Sequence, residues 1–283
     1  MRNFYNLPAP AKLNLFLHVI GQRQDGMHLL ESVFSLIDLC DYIDLEEARG
    51  GKITRDGDIN WNKQQDLCVK AAKLLQQFCP EKGVRISVKK NIPDGAGMGG
   101  GSSDAATCLI ALNRLWDLNL DRSKLIELGQ KLGADVPFFL FGRTAFVEGT
   151  GEILSAIEIE NFKVHVLFPN THVATKSIFQ HPDLTRNTLS IKITHSSDKT
   201  LSTLPLNFGR NDLEATVAEM YPSVKDAVKL LNQSGEARMT GSGSAVFYAV
   251  KSSSEVSRLT DLPVGWKQWI LNGLNKHPLY SWV

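Results

Sequence analysis

Between strand-like and helix-like segments the chain carries Ile92-Pro93-Asp94-Gly95-Ala96-Gly97-Met98-Gly99-Gly100-Gly101-Ser102-Ser103-Asp104-Ala105-Ala106, with five glycines in the seven positions 95–101. Glycine reaches positive φ without strain and lets a backbone approach a ligand closely. Val84 to Lys89 alternates apolar and polar residues, which predicts a strand before the loop. The stripe Ala106, Leu109, Ile110 and Leu112 predicts a helix after it, from about Ser103 to Trp116. Ser102 and Ser103 then open that helix, so its unpaired N–H groups and positive dipole end face the glycines. Such a turn is an anion site, and phosphate is the obvious guest.

Other glycine loops fit less well. A Walker loop ends in Gly-Lys-Ser/Thr, and no lysine stands here. Gly95-x-Gly97-x-x-Gly100 matches a dinucleotide fingerprint, but that reading also needs an acidic residue closing a second parallel strand. Asp117 has the right separation, yet lies in Leu115-Trp116-Asp117-Leu118-Asn119, which reads as a helix end. The VAIK and HRD–DFG sets of protein kinases do not occur. A merely flexible loop is the bland alternative, and glycine packed against a well-capped helix start argues against it.

Length and charge narrow the setting. At 283 residues the chain fits two domains or one large one. A formal net charge of +1 offers no global field for nucleic acid or an anionic membrane, so any anionic ligand is held locally. The first residues lack the apolar segment of a signal peptide, and the longest apolar run, Val136 to Phe141, is too short to span a bilayer. We expect a cytoplasmic protein with a small-molecule substrate, with monomer and homodimer both open. Cys40, Cys68, Cys79 and Cys108 form no CxxC pair and read as buried reduced thiols.

The remaining elements suggest α+β architecture. Pro8 and Pro10 punctuate the start. From Lys12 the residues alternate, with Leu13, Leu15, Leu17 and Val19 on one face and Lys12, Asn14, Phe16 and His18 on a mostly polar one. Val33–Leu39 and Tyr42–Leu45 read as two strands. Asp66 caps a helix that runs to about Cys79, and a further helix spans about Ser123 to Leu132. The segment from Phe138 to Ile153 reads as strands and turns. Polar Glu158 to Asn161 marks a boundary, dividing the chain into residues 1–158 and 159–283. Val164 to Phe168 begins a new strand, and Thr185 to Leu204 reads as a surface excursion. A helix over about Ser223–Asn232, strands near Arg238 and over Ala245–Val250, and helices near Glu255 and Trp266 complete the chain.

Three motifs together resemble the superfamily of galactokinase, homoserine kinase, mevalonate kinase and phosphomevalonate kinase. They are the glycine loop, Pro8-Ala9-Pro10-Ala11-Lys12-Leu13-Asn14-Leu15, and Arg238-Met239-Thr240-Gly241-Ser242-Gly243-Ser244-Ala245. They occur in that superfamily's order and spacing, so the resemblance covers nearly the whole chain. It implies a first domain like ribosomal protein S5 domain 2, a ferredoxin-like second domain, and an active site between them. The implied cosubstrates are ATP and Mg²⁺. Pro93, Gly95, Ala96, Gly97, Met98, Gly99, Gly100, Gly101, Ser102 and Ser103 would hold the nucleotide phosphates, Leu67 and Lys90 would lie near adenine, and the Ser103 hydroxyl would approach the metal. Gly133-Ala134-Asp135-Val136-Pro137-Phe138-Phe139 resembles the catalytic-aspartate segment, giving Asp135 as proton acceptor with Lys12 paired to it. Asp135 also reads as a cap for the segment beginning Val136-Pro137.

The acceptor alcohol rests on another segment. Gly21-Gln22-Arg23-Gln24-Asp25-Gly26-Met27-His28 resembles the Arg-x-Asp-Gly-Tyr-His segment of the diphosphocytidyl-methylerythritol kinases. There the histidine binds the cytosine edge and the tyrosine stacks on the ring. Here His28 is kept and Met27 replaces the tyrosine; a thioether also covers a ring face. Thr175 and Phe179 match neighbouring substrate positions, and Asn14, Gly241 and Ser242 join them. The resemblance thus implies phosphorylation of the 2-hydroxyl of a cytidine-diphosphate-linked methylerythritol. Another alcohol for the same chemistry, or a non-catalytic sensor on the same fold, are the rival expectations.

Overall fold

The computed structural model describes residues 2–58, 65–191 and 205–283. Its strands join in the order β3-β4-β2-β10-β7-β9-β8, with β1 and β5 added beside β2 and β6 beside β5. The first half supplies β1 (Asn3–Gln22), β2 (His28–Ala48), β3 (Ile53–Gly57), β4 (Gly83–Lys89), β5 (Ala145–Glu148) and β6 (Ile153–Ala156). The second supplies β7 (Phe162–Phe168), β8 (Arg238–Met239), β9 (Val246–Lys251) and β10 (Lys267–Leu274). The helices are α1 (Leu67–Gln76), α2 (Gly100–Leu115), α3 (Arg122–Gln130), α4 (Val136–Phe141), α5 (Thr175–Phe179), α6 (Glu214–Met220) and α7 (Pro222–Leu231). Among the described residues none of them is long and apolar enough to cross a membrane. Among these ladders only β3–β4 is parallel; the α+β reading therefore holds.

β2 organises the sheet. One edge carries β1 along most of its length. The other takes β5 at Ser32–Phe34, β10 at Leu36–Ile37 and β4 at Tyr42–Ala48. The two strands expected at Val33–Leu39 and Tyr42–Leu45 are thus one. β1 likewise extends back through Pro8 and Pro10. It forms a ladder on one edge only, and its register shifts between Pro10 and Ala11, which is where a strand tolerates proline.

β1 threads three cores. Leu7 and Ala9 pack with α1–α4, Leu13 and Leu15 with the glycine loop and β7, and Leu17 and Val19 with α6 and α7. Both faces are therefore covered, and the face carrying Lys12 and Asn14, expected to be a polar one, is buried. The chain end returns to the first half, where Leu279 packs into the core against α2 and its neighbours.

Local signals explain several helix limits. Asp66 accepts from the Cys68 and Val69 amides, as its position predicts. Val136–Phe141 is a helix rather than strand and turn, with Pro137 in its first turn and Gly142 closing it at φ 68°. Asp135 precedes it but makes no side-chain capping bond, so the expected cap is absent and the carboxylate stays available. Trp266 precedes β10, and neither expected helix, near Glu255 or Trp266, forms. Of the Thr185–Leu204 excursion, residues 192–204 lie outside the described residues. The four cysteines are free and buried, as expected, and burial pushes the Cys40 thiol up to about 12.

Candidate active site

A cavity of about 930 Å³ opens between the glycine loop, the second half of β1, the start of β2, and α5. Its shape follows from how the loop is pinned. Gly95, Gly97 and Gly99 all have positive φ. At Gly97 the need for glycine is also steric, since a Cβ would stand 2.3 Å from the Thr240 carbonyl oxygen. Between these turns the loop carbonyls are tied by three amides from two distant segments. The Ser244 amide donates to Gly95 at 3.2 Å, the Ala245 amide to Ala96 at 3.1 Å and the Lys12 amide to Met98 at 3.0 Å. All three sequence motifs therefore meet at one loop. Gly99, at φ 72°, is the residue from which α2 starts, so the first turn of α2 opens at Gly100 beside the cavity.

Lys12 reaches the site from underneath. Its ammonium lies 2.6 Å from Asn14 Oδ1, 3.7 Å from Asp135 Oδ2 and 4.6 Å from the centre of the Phe34 ring. A Cβ on Gly99 would stand 3.3 Å from Lys12 Cγ, so the lysine stem touches the glycine loop. Asn14 is fixed in turn: its amide donates to Thr240 Oγ1 at 2.8 Å and its Nδ2 to Ser32 Oγ at 3.1 Å. Lys12 is buried while Asp135 is about a third exposed, which suits a carboxylate facing a ligand. Among the described residues Lys12 is the cation paired with Asp135.

The lining also carries His28, Met27, Thr175 and Phe179. The His28 and Phe179 rings lie 5.1 Å apart at 39°, and Met27 is half exposed beside them. Thr175 Oγ1 and Ser242 Oγ are 2.6 Å apart, linking α5 to the Gly241-Ser242 turn. Burial, and then the Arg186 guanidinium, hold the His28 imidazole below its ordinary value, so it is neutral near pH 7.

Of the residues expected at the site, nineteen positions from Lys12 to Ser242 line this one cavity, including Leu67, Pro93, Gly95, Ala96, Gly97, Met98, Gly99, Gly100, Gly101, Ser102 and Gly241. Two do not. Ser103 is buried, and its hydroxyl donates to the Pro10 carbonyl at 2.6 Å, which removes it from the expected metal position. Ser102 faces the cavity instead. Lys90 lies beneath the loop, paired to Asp41 and, at 2.7 Å, to Asp104. Burial lowers Lys90, but Asp104 and Asp41 outweigh it and hold the ammonium above its ordinary value. Its charge is committed to anchoring the loop, because Asp41 Oδ1 also accepts from the Asn91 and Ile92 amides at 2.5 and 2.8 Å.

Sequence reasoning missed Gln22, Lys176 and Arg186, which also line the cavity. Arg186 falls in the stretch expected to be a surface excursion. No spacing marks it; only the return of that stretch against β1, where the Thr188 amide donates to Val19 at 3.1 Å, brings it to the wall.

Comparison with known proteins finds matches to both halves of the chain. The GHMP kinases N terminal domain matches residues 66–143 and the GHMP kinases C terminal model residues 196–261. The chain is 50% identical to a protein of Thiobacillus denitrificans named 4-diphosphocytidyl-2-C-methyl-D-erythritol kinase, covering 98% of both chains. It is 48% identical to a protein of the same name from Polynucleobacter necessarius subsp. necessarius, covering 98% of this chain and 95% of that one. A crystal structure of 4-(cytidine 5'-diphospho)-2C-methyl-D-erythritol kinase superposes with a TM-score of 0.72 at 33% identity, over 87% of this chain and 89% of the other. Homoserine kinase from Cytophaga hutchinsonii, at 18% identity and a TM-score of 0.64 over 89% and 86% of the chains, shares the fold.

Proposed function

The chain belongs to the 4-diphosphocytidyl-2-C-methyl-D-erythritol kinase family of GHMP kinases, and we propose that Lys12 and Asp135 carry out its phosphoryl transfer in the cavity beneath the glycine loop. The protein is an ATP-dependent phosphotransferase that acts on the 2-hydroxyl of 4-diphosphocytidyl-2-C-methyl-D-erythritol, a step of the non-mevalonate route to isoprenoid precursors. The observation that supports the residue assignment is the approach of Lys12 Nζ to within 3.7 Å of Asp135 Oδ2, with the lysine stem against Gly99 of the loop.

In this reading the nucleotide phosphates lie along the loop and the open N–H groups of the first turn of α2, with adenine towards Leu67. The acceptor hydroxyl meets Asp135, which takes its proton as the oxygen bonds to the γ-phosphorus and the bond to the bridging oxygen breaks, releasing ADP. Lys12, held by Asn14, pairs with Asp135 and stabilises charge gathering on the oxygens.

Mg²⁺ belongs to the proposal too. Among the described residues there is no cluster of three or more His, Cys, Asp or Glu to cage a metal. That fits a hard cation carried mainly by the phosphates and water, with Ser102 and Asp94 the oxygen donors lining the cavity beside the loop. Bound there, it neutralises charge on the phosphate oxygens. We read the first half as like ribosomal protein S5 domain 2 and the second as ferredoxin-like, dividing near residue 158 with the active site between them.

The test is ADP release by the purified protein against a panel of alcohols. Preference for the cytidyl substrate is expected. Preference for mevalonate or homoserine, or no ADP release with any acceptor, would sink the assignment.

A further inference from the structure

His28 Nε2 accepts a hydrogen bond from Arg186 Nε at 3.0 Å. A guanidinium Nε always carries its hydrogen, so this ring nitrogen holds a lone pair and the neutral ring carries its proton on Nδ1. The rest of Arg186 is equally committed. Nη1 donates to the Pro182 and Leu184 carbonyls at 3.3 and 3.0 Å, and Nη2 to those of Phe179 and His181 at 3.1 and 2.7 Å. All five donors are spent on the protein, so this cation lines the cavity without a donor left for a ligand.

His28 Nδ1 stands differently. It has no hydrogen-bond partner among the described residues. It is also not one of their buried, unpartnered polar atoms, which are His18 Nδ1, Asp104 Oδ1, Trp116 Nε1 and His165 Nδ1. A donor is thus left over on a residue of the cavity wall. The neighbouring Phe179 ring is only 5.1 Å away, too close to admit a base between the two rings. A base must lie with its face on one ring and its edge at the other.

We propose that Arg186 is a positioning residue for the nucleobase: it fixes His28 as an Nδ1–H donor and staples the Phe179 carbonyl to it, so that this wall selects a pyrimidine edge presenting an acceptor. The inference rests on the reading of this wall as the cytidyl subsite. A ring free to exchange tautomers would donate or accept at the same place. The five-donor staple removes that choice and, through Phe179, sets edge and face together.

Two measurements test it. Long-range ¹H–¹⁵N correlation spectra of the wild-type protein, without ligand, report the tautomer of His28, assigned by the peak lost in His28→Gln. Protonated Nδ1 is expected, and protonated Nε2 overturns the proposal. Arg186→Met is then expected to mix the tautomers and raise KM for the cytidyl substrate about 10-fold, with KM for ATP and kcat within about twofold. Arg186→Lys, which can still donate one bond to Nε2, recovers part of the loss. An unchanged KM for the cytidyl substrate, or an equal rise for ATP, overturns it. If Arg186→Met does not fold, the wild-type spectrum decides alone. Lack of any turnover by wild-type protein would instead sink the assigned reaction, and with it the ligand of this wall, while the spectrum still reports the staple.

Discussion

Lys12 Nζ sits 2.6 Å from Asn14 Oδ1 and 3.7 Å from Asp135 Oδ2, with its stem packed on the turn at Gly99. One lysine therefore touches the glycine loop with its methylenes and the aspartate with its ammonium group. Removing either charged partner should strike the chemical step. We expect Lys12→Ala and Asp135→Asn each to lower kcat by about 10²- to 10⁴-fold, with KM for ATP changed little. The double variant should lose scarcely more than the worse single one, because the pair acts as a unit. A coupled ADP assay measures this, and near-normal turnover in either variant contradicts the assigned roles.

Gly97→Ala should damage the loop itself. The left-handed backbone costs a non-glycine residue about 1–2 kcal/mol. The new methyl would also meet the Thr240 carbonyl oxygen at 2.3 Å, which is backbone and cannot rotate away. A loss of at least about 2 kcal/mol in urea unfolding is expected, together with weaker ATP binding. Unaltered stability would mean that the loop and the Thr240 turn are not packed as described.

Met27 gives a gain-of-affinity test. It lies half exposed on the cavity wall beside His28 and Phe179. Met27→Tyr offers an aromatic face to the base, and such contacts are worth about 0.5–1.5 kcal/mol. KM for the cytidyl substrate should fall about two- to tenfold, with KM for ATP unmoved. A rise in KM, or no change, would show that the base does not pass over residue 27.

Acid should destabilise the fold through its buried histidines. Burial, and then Arg122, hold His277 down to about 3, against about 6.5 in an unfolded chain. The unfolded state therefore takes up the proton first. The contribution is complete above pH 6.5 and is lost as the pH falls towards 3, at about 1.4 kcal/mol per pH unit for this one group. His18, His28 and His165 are depressed by burial in the same direction. Urea midpoints at pH 7, 6 and 5 should fall steadily, and His277→Asn should flatten that slope. An equal slope in the variant would refute the assignment to His277.

The parts of this arrangement that were legible in sequence depend on local chemistry. Asp66 before an apolar stripe caps α1 because the cap is decided within three residues. The glycine loop declared itself because few other uses explain so many glycines ahead of a helix. Ser103 failed for a local reason as well. The helix begins at Gly100 rather than at the serines, and each residue turns about 100° around the axis, so Ser103 is carried inward and Ser102 outward. Lys90 and Arg186 failed for a non-local one. Whether a cation meets a ligand or a protein acceptor depends on carboxylates and carbonyls placed by the fold, here Asp41 and Asp104 for one and the Phe179–Leu184 turn for the other. Lys12 shows the converse: its alternation suggested a mostly polar strand face, and only the packing of the loop above it makes that position a dry one.

The carbonyls of Gly95, Ala96 and Met98 are all taken by amides from Ser244, Ala245 and Lys12, so the turn above α2 is held from both ends of the chain before any nucleotide arrives. The entropy of ordering it is met during folding and is not charged again at each catalytic cycle. In the proposed reading, a mould set in this way releases ADP without losing its shape and receives the next ATP without rebuilding it.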